Sequence, residues 1–159
     1  MNLRIGIGYD VHVLQDGLEF WLGGIKIPHN KGCVAHSDGD VLIHAICDAL
    51  LGAANLRDIG YQFPDNDSVY KGIDSKILLK KTIQLLEEKN YQVVNIDSVI
   101  SLQKPKIANY IEEMCELLAL TIGTDKENVS IKATTTEGLG FEGRQEGVSA
   151  QAVALISKA

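Results

Sequence analysis

Asp10 and His12 form an Asp-x-His pair in a segment whose apolar and polar residues alternate. Successive side chains of a strand point to opposite faces, so a strand here sends the carboxylate and the imidazole to the same side of a sheet. His44 lies in a later segment with helical periodicity, and its imidazole would complete the Asp/His/His set that zinc accepts with a fourth position open for substrate. The alternative is two unrelated surface histidines and carboxylates that only cap a helix.

A second polar cluster, Lys132-Ala133-Thr134-Thr135-Thr136-Glu137, ends a predicted strand with three hydroxyls and a carboxylate. Threonine is a good strand former, which explains this composition without any function. The functional interpretation is a phosphate site, in which the hydroxyls donate to phosphoryl oxygens and Glu137 is a hard oxygen ligand for Mg²⁺ or Mn²⁺. Together with the zinc site, this cluster predicts two metal ions around a diphosphate.

Five polar residues lie close to His44 in sequence: His36, Ser37, Asp38, Asp40 and Asp48. His36 could donate to a developing phosphoryl charge, although a lone loop histidine is more often structural. Asp48, one helical turn after His44, is the predicted acceptor that orients the His44 imidazole. Ser37 or Asp38 is the predicted helix N-cap, with Asp40 in the first turn.

Glycine-rich nucleotide motifs are excluded. Gly138-Leu139-Gly140-Phe141-Glu142-Gly143 matches GxGxxG, but a dinucleotide fingerprint must open a helix and be followed by an acidic ribose ligand. Here a strand is predicted over 148–156 and the sequence stops at Ala159, so a turn or bulge is expected. No GxxxxGK[ST] motif occurs, which excludes a P-loop enzyme.

The composition favours one globular domain over residues 1–159, with 45% hydrophobic and 23% charged residues. A net charge of −6 argues against a nucleic-acid partner, and no apolar run is long enough to span a membrane. Three cysteines without CxxC spacing indicate a reducing compartment. With no presequence pattern at the amino terminus, a cytoplasmic location is expected.

The predicted elements make an α+β fold, with one mainly antiparallel or mixed sheet and helices packed on one face. Alternation predicts strands at 3–13 and 18–27, and later ones at 91–102, 129–135 and 148–156. Helical periodicity predicts helices from Asp38 to Ala54, from 74 to 89, and from Pro105 onward with an apolar stripe from Ile107 to Thr121. The aperiodic segment 55–73 is predicted to be a lid anchored by its aromatic residues.

Several motifs in order resemble the 2-C-methyl-D-erythritol 2,4-cyclodiphosphate synthase family over essentially the whole chain. The segments that carry the resemblance are Gly8-Tyr9-Asp10-Val11-His12, Ala35-His36-Ser37-Asp38-Gly39-Asp40 through His44-Ala45, Asp48-Ala49-Leu50-Leu51-Gly52-Ala53, Asp58-Ile59-Gly60 with Phe63-Pro64-Asp65, Pro105-Lys106, and Ala133-Thr134-Thr135-Thr136-Glu137 with Leu139-Gly140-Phe141.

The resemblance implies a homotrimer with active sites between neighbouring subunits. It implies zinc on Asp10, His12 and His44, and a second divalent ion, Mg²⁺ or Mn²⁺, on Glu137. His36, Thr135 and Glu137 are the implied catalytic residues. Arg144 and Glu146 match positions near a central cavity proposed to bind isoprenoid diphosphates.

The resemblance also implies a substrate site with a methylerythritol phosphate part and a cytidine part. The implied substrate-binding residues are Asp10, His12, His36, Ser37, Asp58, Ile59, Gly60, Phe63, Pro64, Asp65, Asn66, Asp67, Leu102, Gln103, Lys104, Pro105, Lys106, Ile107, Ala108, Thr134, Thr135, Thr136, Glu137, Phe141 and Arg144.

The implied reaction is an intramolecular phosphoryl transfer, a phosphorus-oxygen lyase reaction in non-mevalonate isoprenoid biosynthesis. It converts 4-diphosphocytidyl-2-C-methyl-D-erythritol 2-phosphate to the 2,4-cyclodiphosphate and CMP. The alternatives are a zinc-dependent phosphoester hydrolase and a non-catalytic trimer that binds nucleotides or isoprenoids. The chain departs from the family pattern at Tyr9, Lys104, Ala108 and Gly138, which affects the cavity and the cytidine contacts rather than the metal motifs.

Overall fold

The computed structural model describes residues 2–159, in which seven strands form two sheets. The main sheet is mixed, with strand order β4-β1-β7-β5-β6, and within these residues β5 and β6 are its one parallel pair. β2 and β3 form a separate antiparallel hairpin. The strands are β1 (Leu3–Asp16), β2 (Phe20–Leu22), β3 (Ile25–Ile27), β4 (Lys31–Cys33), β5 (Tyr91–Ser101), β6 (Val129–Thr134) and β7 (Gly147–Lys158).

The long helices lie on one face of the main sheet, which confirms the predicted α+β architecture. The α-helices are α1 (Val41–Ala53), α2 (Ile59–Gln62), α3 (Ser75–Glu88), α4 (Ile111–Ile122) and α5 (Gly140–Gly143), and short 3₁₀ helices cover Ser68–Tyr70, Ala108–Tyr110 and Lys126–Asn128. No helix among residues 2–159 is both long and apolar enough to cross a membrane.

The core forms between the sheet and α1. Alternate residues of β7 are buried on the helical side, from Val148 through Ala150, Ala152 and Ala154 to Ile156. Ten of the 13 residues of α1 are buried. The helix is therefore covered on nearly all sides, and His44 and Asp48 are its only polar side chains.

Two glycines of β1 allow that strand to approach α1 very closely. A Cβ added at Gly6 or Gly8 would lie 1.9 Å from the carbonyl oxygen of Ala49 or Ala45, respectively. Real carbon and oxygen atoms do not approach so closely, so any side chain would push the strand and helix apart. Because Asp10 and His12 follow on the same face of β1, this contact brings them next to His44 on α1.

The N-cap of α1 is Asp40, so the predicted cap at Ser37 or Asp38 is wrong. Asp40 is fully buried, and its carboxylate accepts hydrogen bonds from the backbone N–H groups of Ile43 (3.1 Å), Gly23 (3.0 Å) and Gly24 (2.7 Å). Gly23 and Gly24 form the β2–β3 turn with φ of +60° and +83°. One carboxylate thus caps α1 and fixes the hairpin to it.

Three other boundaries differ from the sequence predictions. Residues 18–27 form the β2–β3 hairpin rather than one strand, because Gly23 and Gly24 reverse the chain. Segment 55–73 contains α2 and a 3₁₀ turn. The helix predicted from Pro105 begins at Ile111 after a 3₁₀ turn, because the Leu102 N–H still pairs with the Thr134 carbonyl and Ile107 is buried in the core.

Among residues 2–159, the one helix on the opposite face of the main sheet is the short α5, which packs at the start of β7, where Glu142 accepts a 2.8 Å hydrogen bond from the Ser149 hydroxyl. The outward side chains of β1 are apolar and exposed: Leu3, Ile5, Ile7, Tyr9, Val11 and Val13. Ile5 and Ile7 are each 72% exposed. A monomer rarely shows a continuous apolar strand face of this kind to water.

We expect Asp40→Ala to lower the free energy of unfolding by about 3 kcal/mol, because three buried N–H groups lose their acceptor. The control is Asp74→Ala, which removes the exposed N-cap of α3 and is expected to cost about 1 kcal/mol. Urea unfolding of both variants measures the difference. Equal losses would show that the buried contacts to the hairpin add nothing.

Candidate metal and substrate site

The predicted triad converges on one point. Asp10 and His12 lie on one face of β1, and His44 projects from the first turn of α1. Asp10 Oδ2 lies 2.9 Å from His12 Nε2 and 3.0 Å from His44 Nδ1, and the two nitrogens are 3.2 Å apart. Within residues 2–159, this is the one group of three or more His, Cys, Asp or Glu side chains close enough to share a metal ion.

The donor chemistry of the triad fits zinc. Ligand atoms of a tetrahedral zinc site lie about 3.3 Å apart at bond lengths of about 2.0 Å. The three distances here are close to that spacing. The three contacts cannot all be hydrogen bonds. If His12 Nε2 and His44 Nδ1 both carry a proton to donate to Asp10, those two protons also face each other across the contact between the nitrogens. A cation at the centre satisfies all three atoms together, so Asp10, His12 and His44 can hold a divalent metal ion.

The electrostatics of the triad also favour a cation. Burial raises the pKa of Asp10, but the hydrogen bonds from His12 and His44 outweigh this effect and hold the pKa well below its usual range. Burial lowers the pKa of His44, while the Asp10 carboxylate raises it, and the net direction is upward. Asp10 therefore stays ionised at neutral pH, with its charge directed at the point where the triad meets.

Asp48 does not orient His44, so that prediction is wrong. The Asp48 carboxylate instead accepts a 2.7 Å hydrogen bond from the Ile59 N–H at the start of α2. His44 Nε2 faces two hydroxyls, Ser75 Oγ at 3.0 Å and Ser37 Oγ at 3.1 Å. The i, i+4 spacing places Asp48 on the same face of α1 as His44. Its carboxylate, however, is hydrogen-bonded to the backbone of α2 and not to the imidazole.

A cleft of about 170 Å³ opens beside the triad. The structure brings many of the predicted residues to its wall: Asp10, His12, His36, Ser37, His44, Ile59, Gly60, Phe63 and Asp65. It adds Ala35, Tyr70, Ile73 and Leu78, which the sequence argument did not include in the site. Asp58, Pro64, Asn66 and Asp67 do not line this cleft, and all four are exposed.

Local contacts hold the loop that forms the cleft wall. Asp58 caps α2 by accepting from the Tyr61 N–H, and Asp67 caps the following 3₁₀ turn. The Phe63 and Tyr70 rings pack edge to face with centroids 5.7 Å apart. Phe63 is buried and packs on Tyr70, so two of the three predicted aromatic anchors of this segment are present, but the third, Tyr61, is 57% exposed.

A second cleft, of about 180 Å³, lies at the carboxyl end of β6. Its walls come from the predicted cytidine segment and the threonine cluster: Leu102, Gln103, Pro105, Lys106, Ile107, Ala108, Ala133, Thr134 and Thr135. Lys104, Thr136 and Glu137 do not line it. Its wall combines apolar residues with the polar side chains of Gln103, Lys106, Thr134 and Thr135, which suits a flat ring flanked by polar groups.

Glu137 sits in the exposed turn after β6. Its backbone is left-handed, with φ of +55°, and its N–H donates to Thr135 Oγ1 at 3.3 Å. Thr136 Oγ1 donates to the Leu139 carbonyl and closes the turn. The Glu137 carboxylate is therefore presented to solvent, with oxygen atoms available for a hard cation.

The remaining predicted residues lie near the start of β7. Phe141, in α5, packs close to Gly147. Arg144 is exposed and forms a two-pronged ion pair with Glu146, at 3.1 Å for each contact. Neither Phe141 nor Arg144 lines either of the two clefts.

The two clefts are at the same end of the sheet but on different strands. His12 pairs with Val148 of β7, and the next β7 residue, Ser149, pairs with Ser101 of β5, which pairs with Thr134 of β6. Three strand spacings separate β1 from β6, which is roughly 14 Å. The structure of one chain therefore does not bring Thr135 or Glu137 to the triad.

Comparison with known proteins agrees with this geometry. The YgbB family model matches residues 3–157. The 2-C-methyl-D-erythritol 2,4-cyclodiphosphate synthase of Bacteroides fragilis is 58% identical over 158 residues, 99% of both chains. This chain belongs to the YgbB family. The family resemblance seen in the motifs is confirmed.

Solved structures show the same fold. The bifunctional IspDF of Campylobacter jejuni superposes with a TM-score of 0.95 and 38% identity over 99% of this chain, which spans 42% of that longer chain. The CDP complex of Plasmodium falciparum IspF superposes with a TM-score of 0.87 and 34% identity, covering 99% of this chain and 97% of that one.

Sequence reasoning missed the residues that reach the cleft from the start of α3. Ser75 touches His44, but a lone serine at the first position of a helix is common and carries no signal of its own. Tyr70 and Ile73 were recognisable only as apolar residues in an irregular segment. Their roles depend on the path of the loop.

We expect the wild-type protein to bind one zinc ion per chain, and Asp10→Ala, His12→Ala and His44→Ala each to lose it with the fold retained. His29→Ala is the control, because His29 lies outside both clefts and is expected to keep its zinc. Metal analysis after dialysis, with circular dichroism for the fold, measures both. Full zinc content in His44→Ala would contradict the assignment.

Proposed function

We propose that this chain is a cyclodiphosphate synthase, a phosphorus-oxygen lyase acting in non-mevalonate isoprenoid biosynthesis. It converts 4-diphosphocytidyl-2-C-methyl-D-erythritol 2-phosphate to 2-C-methyl-D-erythritol 2,4-cyclodiphosphate and CMP. The observation that carries the proposal is the convergence of Asp10, His12 and His44 beside a cleft, in a chain 58% identical to a synthase of that name. Residues 1–159 act as one domain.

The chemistry needs no general base. The attacking 2-phosphate is a monoester with a second pKa of about 6, so it is mostly dianionic at neutral pH. The barrier comes from folding several negative charges together and from the charge that develops on the departing CMP. When bound, zinc and a second divalent ion, Mg²⁺ or Mn²⁺, supply Lewis-acid charge that offsets this repulsion.

The residues of the first cleft bind the methylerythritol part. The wall of this cleft is formed by Ile59, Gly60, Phe63 and Asp65. They orient the methylerythritol part of the substrate so that its 2-phosphate faces the triad. His36 is exposed at the mouth of the cleft, where its imidazole can donate to a phosphoryl oxygen as charge grows. Asp58, Pro64, Asn66 and Asp67 border this region and complete the proposed contacts.

The second cleft binds cytidine. Leu102 to Ala108 surround the base, and Lys106 places a positive charge close to the diphosphate. The hydroxyls of Thr134, Thr135 and Thr136 donate to phosphoryl oxygens, and Glu137 holds the second divalent ion. Thr135 and His36 stabilise the transition state by donating hydrogen bonds to phosphoryl oxygens.

The substrate spans both clefts in a homotrimer, with the first cleft of one subunit facing the second cleft of its neighbour. Each cleft is smaller than the roughly 300 Å³ of an ordinary ligand pocket, so neither holds the whole molecule. The exposed apolar face of β1 supports the assembly, because burying it against other copies removes it from water. Arg144 and Glu146 then lie near the threefold axis, where an isoprenoid diphosphate can bind.

The proposed compartment is the cytoplasm. Cys33, Cys47 and Cys115 are all buried and unpaired, as in proteins from a reducing environment.

We expect zinc-loaded wild-type protein with Mg²⁺ to release CMP and form the cyclic diphosphate, and Glu137→Gln to keep zinc but lose at least about 100-fold in kcat. Glu127→Gln, at an exposed glutamate remote from both clefts, is the control and should retain full turnover. Phosphorus NMR follows substrate and products. Release of inorganic phosphate would indicate a hydrolase, and CMP binding without turnover would indicate a binding module; either result contradicts the proposal.

We expect mixed trimers of His44→Ala and Glu137→Gln to recover about a quarter of wild-type activity. One in four interfaces of a randomly mixed ring pairs the two intact halves. Mixtures of His44→Ala with Asp10→Ala stay inactive, because both changes damage the same half. Complete inactivity of the first mixture, with mixed assembly verified by mass spectrometry, would contradict sites shared between subunits.

A further inference from the structure

A chain of hydrogen bonds behind the triad links His44 to a buried carboxylate. His44 Nε2, the ring nitrogen that points away from Asp10, lies 3.0 Å from Ser75 Oγ. Ser75 is completely buried. Its hydroxyl donates to Asp38 Oδ1 at 2.5 Å, and its backbone N–H donates to Asp38 Oδ2 at 2.9 Å. The Asp38 carboxylate therefore accepts hydrogen bonds from both the hydroxyl and the backbone N–H of Ser75.

This arrangement fixes the direction of each hydrogen bond. An ionised carboxylate can only accept, so the single proton of the Ser75 hydroxyl goes to Asp38. The remaining lone pairs of Ser75 Oγ can then only accept, which requires Nε2 of His44 to carry the proton. A His44 that binds a metal ion is neutral, so its lone pair is then on Nδ1, the nitrogen that faces Asp10 and His12, and the ion replaces the hydrogen bond from Nδ1 to Asp10.

Ser37 also touches His44 but cannot set this direction. Its hydroxyl lies 3.1 Å from His44 Nε2 and accepts from the Gly39 N–H at 3.2 Å. No carboxylate holds its proton, so it can donate or accept. Ser37 also lines the substrate cleft, where a bound phosphate can draw its hydroxyl away.

The same contacts join the metal ligand to the loop that forms the cleft. Ser75 is the first residue of α3, directly after the loop. The Asp38 N–H donates to the Ile73 carbonyl at 3.1 Å, and the Gly72 N–H donates to the His36 carbonyl at 2.7 Å. The end of the loop is thus pinned to the segment that leads into α1, so Ser75 holds a constant position relative to His44.

We propose that Ser75 and Asp38 are positioning residues that orient His44 for metal binding, with Ser75 accepting the Nε2 proton so that Nδ1 presents its lone pair to the ion. The inference rests on the metal site of the proposed function and extends it to two residues outside the ligand set. Removing such a hydrogen-bond partner of a metal-bound histidine weakens metal affinity by about 10- to 100-fold.

The test measures zinc affinity by competition with a chromogenic chelator. Ser75→Ala is expected to bind zinc about 10- to 100-fold more weakly, and Ser75→Thr, which restores a hydroxyl, to recover most of that loss. Ser98→Ala is the matched control: Ser98 is also buried, and its hydroxyl donates to the Ser130 carbonyl away from the site. Its zinc affinity should equal that of the wild type.

A spectroscopic measurement separates positioning from general destabilisation. In zinc-loaded wild-type protein we expect a His44 Nε2–H proton resonance that exchanges slowly with water, because its acceptor is buried. Ser75→Ala should lose that protection even where added zinc saturates the site. The d–d absorption of the Co²⁺-substituted protein should also shift in Ser75→Ala and stay unchanged in Ser98→Ala.

The outcomes distinguish the two claims. Absence of zinc binding by the wild type would overturn the metal site itself. Normal zinc binding by the wild type with unchanged affinity and unchanged Nε2–H protection in Ser75→Ala would overturn only the positioning role. A full loss of affinity in Ser37→Ala with none in Ser75→Ala would assign the acceptor to Ser37 and also overturn the proposal.

Discussion

The close contact between β1 and α1 is the constraint on which the site depends. Gly6 and Gly8 leave no side chain between the strand and the helix, so backbone meets backbone over the length of the contact. Only this closeness lets a carboxylate and an imidazole from β1 meet an imidazole from the first turn of α1. The same helix is anchored at its start by Asp40, which is fully buried. The ligands are therefore placed by a close, buried contact between a strand and a helix.

The proposed reaction requires an acidic chain to bind a polyanion, so most of the positive charge at the site must come from bound cations. The net charge is −6, and Asp10 contributes an ionised carboxylate at the triad while Glu137 presents one in the turn after β6. In the proposed reaction, metal ions bring the compensating charge, and basic side chains such as Lys106 serve only at the nucleotide end. In the proposed homotrimer, dividing the site between two subunits would keep these two charged regions apart until a substrate bridges them.

Much of the site could be predicted from local sequence patterns. The two-residue period of a strand placed Asp10 and His12 together, and the helical period put His44 on the adjacent face. Neither period could identify the partners of His44. Asp48 has the right spacing along α1 but is taken by the Ile59 N–H, whereas Ser75 lies 31 residues away and reaches His44 only through the path of the loop. Similarly, the choice of Asp40 over Asp38 as cap depends on the hairpin turn at Gly23 and Gly24, which is a tertiary contact.

X-ray absorption at the zinc edge of the wild-type protein in solution tests whether Asp10, His12 and His44 hold zinc. We expect one class of zinc ion bound by two imidazole nitrogens and by oxygen, with bond lengths of about 2.0 to 2.1 Å. Sulfur in the first coordination sphere, or a shell of oxygen alone without the multiple-scattering pattern of imidazole, would contradict it.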